Sequence, residues 1–239
     1  MTKFDKTQWS EKDFVYKYLE AVDIRVIERK RLLKILKSFY RHFLGNKKQN
    51  MIMDLGCGDG ILTHELLKID NSLSATLVDG SEDMLNKAEE RLADFKNINF
   101  VRASFQELLN TDVQLPDFDL IISSLAIHHI TMDEKRSLFN YIYSHLNAGG
   151  YFVNIDIILP PTENLEKWYL VLWKEWIIEV QTALKLKDNY EDIVLRYKDN
   201  MDNKPDTLSN QLNTLKSIGL KDVDCFYKYG IFTMYGGRK

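Results

Sequence analysis

Apolar and polar positions alternate along the chain with two different periods. Short apolar runs, typical of buried strands, occur at 51–55, 74–79, 98–103, 118–125 and 151–158. Between these runs, apolar residues recur at helical spacing over about 61–69, 83–95 and 132–146. Strands that alternate with helices pair in parallel through right-handed crossovers. The pattern therefore predicts an α/β fold with a doubly wound sheet.

Further elements are predicted before and after these central strands and helices. Apolar residues at helical spacing over about 13–43 predict N-terminal helices within 1–46. Two prolines at 160–161 end the last central strand, and we interpret 162–206 as a helical cap inserted into a single domain that spans 1–239. A helix at about 207–218 and two strands at 221–230 and 231–239 complete a mostly parallel seven-stranded sheet, with a turn at 147–150 before its fifth strand.

Composition narrows the function classes. The chain has 239 residues, a net charge of −3 and a pI near 6.0, so no global basic field attracts nucleic acid and a small-molecule partner is favoured. Two distant cysteines, Cys57 and Cys225, indicate no disulfide framework, and the first residues lack the apolar core of a signal peptide. No apolar run approaches the roughly 18 residues of a membrane span. We expect a cytoplasmic protein without a membrane segment.

A glycine-rich loop follows the first strand in the sequence DLGCGDG (54–60). Gly56, Gly58 and Gly60 suit a tight strand-to-helix turn whose bare backbone lets a ligand approach closely. The dinucleotide fingerprint is G-x-G-x-x-G, whereas the spacing here is G-x-G-x-G, which speaks against a bound pyrophosphate.

Two aspartates add to the evidence that the glycine loop binds a ligand. Asp79 ends the second strand, where a carboxylate can accept both hydroxyls of an unphosphorylated ribose. Asp54 stands beside the glycine loop, disfavours a phosphate and favours a cation such as an α-ammonium group. An adenosine that carries an amino acid satisfies both requirements.

With these motifs the chain resembles the class I S-adenosylmethionine-dependent methyltransferases over about 50–239. The motifs are DLGCGDG, LVDGSEDML (77–85), FDLIISSLAIHHI (118–130) and LNAGGYFV (146–153), in the family's order. The resemblance implies a Rossmann-like methyltransferase fold, S-adenosyl-L-methionine as the cofactor and transfer of a methyl group to a small-molecule acceptor.

The resemblance also implies which residues bind the cofactor. Asp54, Gly56 and Gly58 would contact the methionine part and Asp79 the ribose. Met84 would pack on the adenine, with Ser104 and Phe105 at its polar edge. The predicted cofactor site is completed by Cys57, Gly80, Ser124, Leu125 and Arg29. Many family members have an acid where this chain has Ser104, and a serine hydroxyl can accept only one hydrogen bond from the adenine amino group.

Histidines after the fourth strand are candidates for the chemistry. His128 could act as a base in O-methylation, since its pKa suits proton transfer near neutral pH, and it is the predicted catalytic residue. The alternative for His128, and more so for His129, is a packed loop histidine. No metal is expected, because no H-E-x-x-H or C-x-x-C spacing occurs.

The predicted cap carries the candidates for acceptor recognition. Trp168 and Trp176 could form a substrate box, although an aromatic stripe on a helix also suits core packing or a homodimer contact. Arg196 and Arg29 could pair with a carboxylate, either that of methionine or that of a substrate, and a solvated surface position is the alternative for both.

Two rival functions stay open. The C-terminal part is also similar to the carboxy-S-adenosylmethionine synthases, in which a cap arginine binds the added carboxylate, and Arg196 would be that arginine. The second rival is a non-catalytic module that binds the cofactor or a partner chain through the face at 168–180.

Overall fold

The computed structural model describes residues 4–110, 114–186, 190 and 192–239, and within them seven strands form one sheet. The strands are β1 (Met51–Leu55), β2 (Ser74–Asp79), β3 (Ile98–Arg102), β4 (Phe118–Ser124), β5 (Leu146–Ile157), β6 (Lys221–Tyr229) and β7 (Phe232–Arg238). Their order across the sheet is β3-β2-β1-β4-β5-β7-β6. Strands β1 to β5 pair in parallel, whereas β7 runs antiparallel to β5 and to β6. The predicted seven-stranded α/β sheet is therefore present, with mixed strand directions.

Helices cover both faces of this sheet. They are α1 (Lys12–Arg25), α2 (Arg29–Phe43), α3 (Ile61–Leu67), α4 (Glu82–Leu92), α5 (Phe105–Asn110), α6 (Met132–His145), α7 (Glu163–Leu184), α8 (Ile193–Asp199) and α9 (Leu208–Ile218). Neighbouring residues of β1 face opposite sides: Ile52 packs in the cluster formed with α2, α3 and α4, and Met53 in the cluster formed with α6 and α9. The continuous apolar run of β1 is explained by this two-sided burial.

Strand β5 begins earlier than the sequence pattern suggests. The structure starts it at Leu146, so the segment 147–150, predicted as a turn, is an irregular part of the strand. The register against β4 shifts between Phe118 and Leu120, and Gly149 has a φ of +80°. A local kink therefore replaces the separate turn.

Helix α7 packs against α1 and the last strand. The buried Trp173 ring meets Phe232 and Tyr197 edge-on, with ring centroids 5.2 and 5.4 Å apart. Its indole N–H donates to the carbonyl oxygen of Arg25 over 2.8 Å. Helices α7 and α8 occupy the range 162–206 that the sequence predicts as a cap, of which residues 187–189 and 191 lie outside the described residues.

The helices that the structure describes contain no candidate membrane span. None of them combines the length and the apolar character needed to cross a bilayer.

Candidate functional site

A large cavity lies at the carboxyl ends of β1, β2, β3 and β4. It encloses about 1350 Å³ of space, part of which is open to solvent. One side, which we call the sheet wall, consists of the loops that follow these four strands. The other side, the helical wall, consists of residues 4–9, α1, the start of α2 and the segment 202–204. Parallel α/β sheets bind ligands at this edge.

Backbone geometry shapes the loop after β1. Gly56 and Gly58 have φ values of +65° and +53°, a region in which residues with a Cβ are strained. A Cβ built on Gly56 would lie 2.4 Å from the Cβ of Ala126, whereas one built on Gly58 would meet only the sulfur of Met84, at 3.8 Å. Position 56 thus needs a glycine because Ala126 leaves no room for a side chain. At Gly58 the missing side chain leaves open space beside the backbone, which we call the cradle.

Asp79 ties two loops of the sheet wall together. Its Oδ2 accepts the N–H of Gly58 over 2.9 Å, and its Oδ1 accepts the N–H of Ser81 over 2.8 Å. Burial raises the pKa of Asp79, and these backbone hydrogen bonds oppose that shift. The carboxylate lines the cavity and keeps lone pairs that can accept hydroxyl groups.

Asp54 lies behind the glycine loop and does not line the cavity. Its side chain is almost fully buried, and its Oδ2 accepts the hydroxyl of Thr63 over 2.8 Å. Its Oδ1 is buried and has no hydrogen-bond partner among the described residues. Burial raises the pKa of Asp54 to about 7, and hydrogen bonds from Thr63 oppose the shift.

Most of the predicted cofactor residues do lie on the cavity surface. The structure brings together Arg29, Gly56, Cys57, Gly58, Asp79, Gly80, Met84, Ser104, Phe105, Ser124 and Leu125. The Ser104 hydroxyl donates to Glu107 Oε2 over 2.7 Å, so it is already engaged at the start of α5. Leu125 has a φ of +52°, and its N–H donates to the carbonyl of Ile155 over 2.8 Å, which holds this strained residue at the cavity.

The two histidines occupy different places. His128 is buried and absent from the cavity surface, and its Nδ1 lies 2.6 Å from Oδ1 of Asp156. His129 lines the cavity, where its Nε2 accepts the indole N–H of Trp9 over 3.0 Å and its Nδ1 donates to the carbonyl of Asp202 over 3.3 Å. These partners fix the neutral tautomer of His129, and burial lowers its pKa well below the usual range.

Residues 4–10 form a strap that belongs to the helical wall, and the sequence analysis did not predict it. A Cβ built on Gly80 would lie 2.7 Å from the Phe4 ring, which therefore rests directly on the loop after β2. The Gln8 N–H donates to Oδ2 of Asp202 over 3.4 Å, and Trp9 holds His129. Phe4 and Trp9 were the available signals, but two aromatic residues in a short segment carry no helical or strand period.

The predicted acceptor residues of the cap lie away from the cavity surface. Trp168 is 54% exposed, and Trp176 packs at the margin of the core. The side chain of Arg196 is exposed and pairs with Asp192 over 2.8 Å, one turn earlier on α8. The structure instead lines the helical wall with Tyr18, Leu19, Val22, Arg29 and Leu33.

A protein-family model matches the part of the sequence that forms much of the sheet wall. The sequence model of a methyltransferase domain matches residues 53–152, which contain the glycine loop, Asp79 and the loop after β4. The part of the chain that carries the cofactor motifs therefore matches a methyltransferase domain, and S-adenosylmethionine is the cofactor that this match supports. Within the described residues, no group of His, Cys, Asp and Glu side chains could hold a metal ion.

Two curated relatives cover different shares of the chain. Malonyl-[acyl-carrier protein] O-methyltransferase 1 of Ilyobacter polytropus is 36% identical over 106 residues, 44% of this chain and 37% of its own length. Carboxy-S-adenosyl-L-methionine synthase of Helicobacter pylori is 26% identical over 205 residues, 81% of this chain and 80% of its own length.

Solved structures share the fold at low identity. An O-methyltransferase family protein from Burkholderia thailandensis aligns with a TM-score of 0.67 and 11% identity, over 98% of this chain and 62% of that protein. PigF, solved with SAH, aligns with a TM-score of 0.63 and 15% identity, over 99% of this chain and 62% of its own. The chain thus spans less than two thirds of the length of these two proteins.

Proposed function

We propose that this methyltransferase binds S-adenosylmethionine on the sheet wall and transfers its methyl group to a small-molecule acceptor held by the helical wall. One observation carries the proposal: the cavity joins the glycine loop and Asp79 on one side to a separate, largely apolar helical surface on the other. A cofactor and an acceptor can therefore be bound by different elements of the same cavity.

The residues of the sheet wall suit the cofactor. Asp79 has the free lone pairs to accept ribose hydroxyls, and the open cradle at Gly58 admits a ligand close to the backbone. Asp59 and Asp79 line this end of the cavity with carboxylates, which favours an ammonium group. Met84, Ser104 and Phe105 would surround the adenine, and Ser124 with Leu125 would lie beside the sulfonium.

The chain's own contribution is orientation and exclusion of water. When bound, the cofactor supplies an electrophilic methyl group, so the protein needs few catalytic residues. The strap covers the cavity through Trp9 and His129, and both nitrogens of His129 are engaged. We propose that His128, held by Asp156 behind the surface, supports this loop and does not act as the base.

Calorimetric titration tests the proposal. We expect S-adenosylhomocysteine to bind and NAD not to bind, because the loop lacks the third dinucleotide glycine. Gly58→Val should abolish binding by filling the cradle. Gly149→Val is the matched control, since Gly149 also has a positive φ with open space around it but lies outside the cavity. Binding of NAD without any response to S-adenosylhomocysteine would overturn the proposal.

A second candidate is synthesis of carboxy-S-adenosylmethionine. It is favoured by the match to the Helicobacter pylori synthase, which covers about four fifths of both chains. Against it, Arg196 is exposed and paired with Asp192, so it is not available in this state for a carboxylate in the cavity. Native mass spectrometry of the purified protein separates the two, because a co-purified carboxylated cofactor would favour the synthase.

The setting of the enzyme is also a proposal. We propose a cytoplasmic enzyme that acts on a diffusible acceptor without nucleic acid, in keeping with its net charge of −3.

A homodimer contact through α7 is a further prediction, because Trp168, Val171 and Ile178 are exposed on that helix. Sedimentation of the wild-type protein and of Trp168→Glu would test it.

A further inference from the structure

Positive charge surrounds one part of the helical wall that is otherwise apolar. Leu19 and Val22 of α1 line this part, and Arg29 reaches the same surface from the start of α2. Arg25 lies against the ring of Tyr18, with its Cζ 5.2 Å from the ring centroid. One guanidinium group thus lies against the Tyr18 ring, and the charge of Arg29 also acts on Tyr18.

Arg25 lacks an anionic partner. It makes no ion pair with any of the residues that the structure describes, and its Nε is buried without a hydrogen bond. Burial lowers the pKa of Arg25, and the charge of Arg196 adds to this effect, whereas Tyr18 and Asp192 act in the opposite direction. Because a partly buried charge without an ion pair is costly, an anion in the adjoining cavity would stabilise Arg25.

Arg29 keeps free donors although it has a partner. Its Nη1 pairs with Oδ1 of Asp23 over 2.5 Å, and the Asp23 side chain is mostly exposed. A guanidinium group has five N–H donors in a planar fork, so the pair with Asp23 leaves others for a ligand.

Tyr18 supplies a further donor near these two charges. It lines the cavity from α1, and its hydroxyl has no hydrogen-bond partner among the described residues. Burial raises the pKa of Tyr18, while the charges of Arg25 and Arg29 act in the opposite direction. The phenol is therefore a neutral hydrogen-bond donor, and buried tyrosine hydroxyls usually have a partner.

The two walls also differ in the sign of their charge. Asp59 and Asp79 line the sheet wall at the glycine loop, whereas Arg29 lines the α1–α2 part of the helical wall; the segment 202–204 of that wall adds one acid, Asp202, and one base, Lys204. The other acid near Tyr18, Asp156, is buried and bonded to His128. An anionic ligand is therefore favoured at the helical wall and disfavoured at the glycine loop.

We propose that the acceptor carries an anionic group, a carboxylate or a phosphate, which Tyr18 and Arg29 bind and which the charge of Arg25 attracts. This inference rests on the proposed function, because it assigns the acceptor class of the same cavity. Tyr18 and Arg29 are then binding residues for the acceptor and take no part in cofactor binding.

Three aromatic probes of similar size test the charge requirement. Phenylacetate, phenyl phosphate and phenylacetamide are titrated separately into protein saturated with S-adenosylhomocysteine, and the affinities are measured by calorimetry. We expect at least one of the two anions to bind between about 10- and 100-fold more tightly than the neutral amide, the range for hydrogen bonds to a charged group. The preferred anion distinguishes a carboxylate from a phosphate acceptor.

Matched variants test the residues. Tyr18→Phe and Arg29→Gln should each weaken binding of the preferred anion by about tenfold or more while S-adenosylhomocysteine affinity changes less than about twofold. Tyr16→Phe and Arg31→Gln are the controls, because both residues are exposed and neither lines the cavity. The controls should leave both affinities unchanged.

The outcomes separate this inference from the proposed function. If S-adenosylhomocysteine does not bind, the proposed function fails. If it binds but the amide binds as tightly as the anions, or none of the probes binds, only the anionic acceptor is overturned. A loss of S-adenosylhomocysteine affinity in Arg29→Gln, with the anion unaffected, would assign Arg29 to the methionine carboxylate and would also overturn the inference.

Discussion

The sheet wall of the cavity is made largely of backbone, whereas the helical wall is made of side chains. On the sheet wall, left-handed glycines and the bonds from Gly58 and Ser81 to Asp79 fix the shape of the loops. On the helical wall, the surface consists of side chains such as Tyr18, Val22 and Arg29. The strap is bonded to the rest of the cavity by Gln8 and Trp9.

This difference separates two kinds of specificity. A backbone surface changes little when side chains are substituted, so it suits the ligand part that all family members share. A side-chain surface changes with each substitution and suits the ligand part that differs between them. We therefore expect substitutions in the sheet wall to affect cofactor affinity, and substitutions of the α1 and α2 side chains on the helical wall to affect acceptor affinity.

The largest effect is expected at Gly56. Gly56→Ala places a methyl group against Ala126 in a left-handed backbone, and we expect a loss of about 2–4 kcal/mol in the free energy of unfolding together with loss of cofactor binding. Gly58→Ala should cost only about 1–2 kcal/mol, because the added methyl meets open space. Chemical denaturation measures both. Equal destabilisation by the two variants would contradict the difference.

Asp79→Ala should weaken S-adenosylhomocysteine binding by about 1.5–3 kcal/mol, since it removes an acceptor for the ribose and releases the Gly58 and Ser81 amides. Asp94→Ala, at an exposed position after α4, is the control for calorimetry. An affinity unchanged by Asp79→Ala would mean that the ribose is bound elsewhere.

Asp54 should make stability depend on pH. The folded state holds the proton of Asp54 more tightly than the unfolded chain, because its pKa is raised to about 7 from an unperturbed 3.8. The free energy of unfolding of the ligand-free protein should therefore fall as the pH rises from about 4 to about 7, as far as this group contributes. Asp54→Asn should raise the melting temperature more at pH 8 than at pH 5. Asp94→Asn is the control, and a gain that is equal at both pH values would contradict the burial of this charge.

Trp9→Phe removes the hydrogen bond to His129 and should loosen the strap. We expect S-adenosylhomocysteine to dissociate about 2- to 10-fold faster, which corresponds to about 0.5–1.5 kcal/mol for one hydrogen bond. Stopped-flow measurement of release, with Trp168→Phe as the control outside the cavity, checks this. Equal rates in wild type and Trp9→Phe would show that the strap does not retain the cofactor.

The smallest effect is expected at Arg196. Because this side chain is exposed and paired only with Asp192 among the described residues, Arg196→Gln should change S-adenosylhomocysteine affinity by less than about 0.5 kcal/mol. Calorimetry of this variant also sharpens the choice between the two candidate functions. A large loss of affinity would return Arg196 to the cavity and favour the carboxylated cofactor.

The sequence allowed the sheet wall to be predicted because its signals are local. Gly56, Gly58 and Asp79 stand at fixed positions after buried strands, and the structure brings them together as the alternation of strand and helix requires. Asp54 shows the limit of this reasoning: it belongs to the same motif, but its side chain points away from the cavity surface toward Thr63.

The helical wall could not be predicted in the same way because its contacts are distant in the sequence. Trp9 meets His129, and Gln8 meets Asp202, across more than half of the chain. The sequence pattern gave Trp168, Trp176 and Arg196 as acceptor residues from the composition of one helical segment, but the packing of that segment was unknown. Trp173 of α7, buried against α1, shows that its inward face serves the core.

Hydrogen–deuterium exchange with and without S-adenosylhomocysteine tests most directly whether the cofactor binds at the sheet wall or at α7 and α8, which lie outside the cavity surface. The account predicts slower exchange after binding in peptides that cover 55–60 and 79–85, and unchanged exchange in α7 and α8. Protection concentrated in α7 and α8, with no change in the glycine loop or after β2, would contradict it.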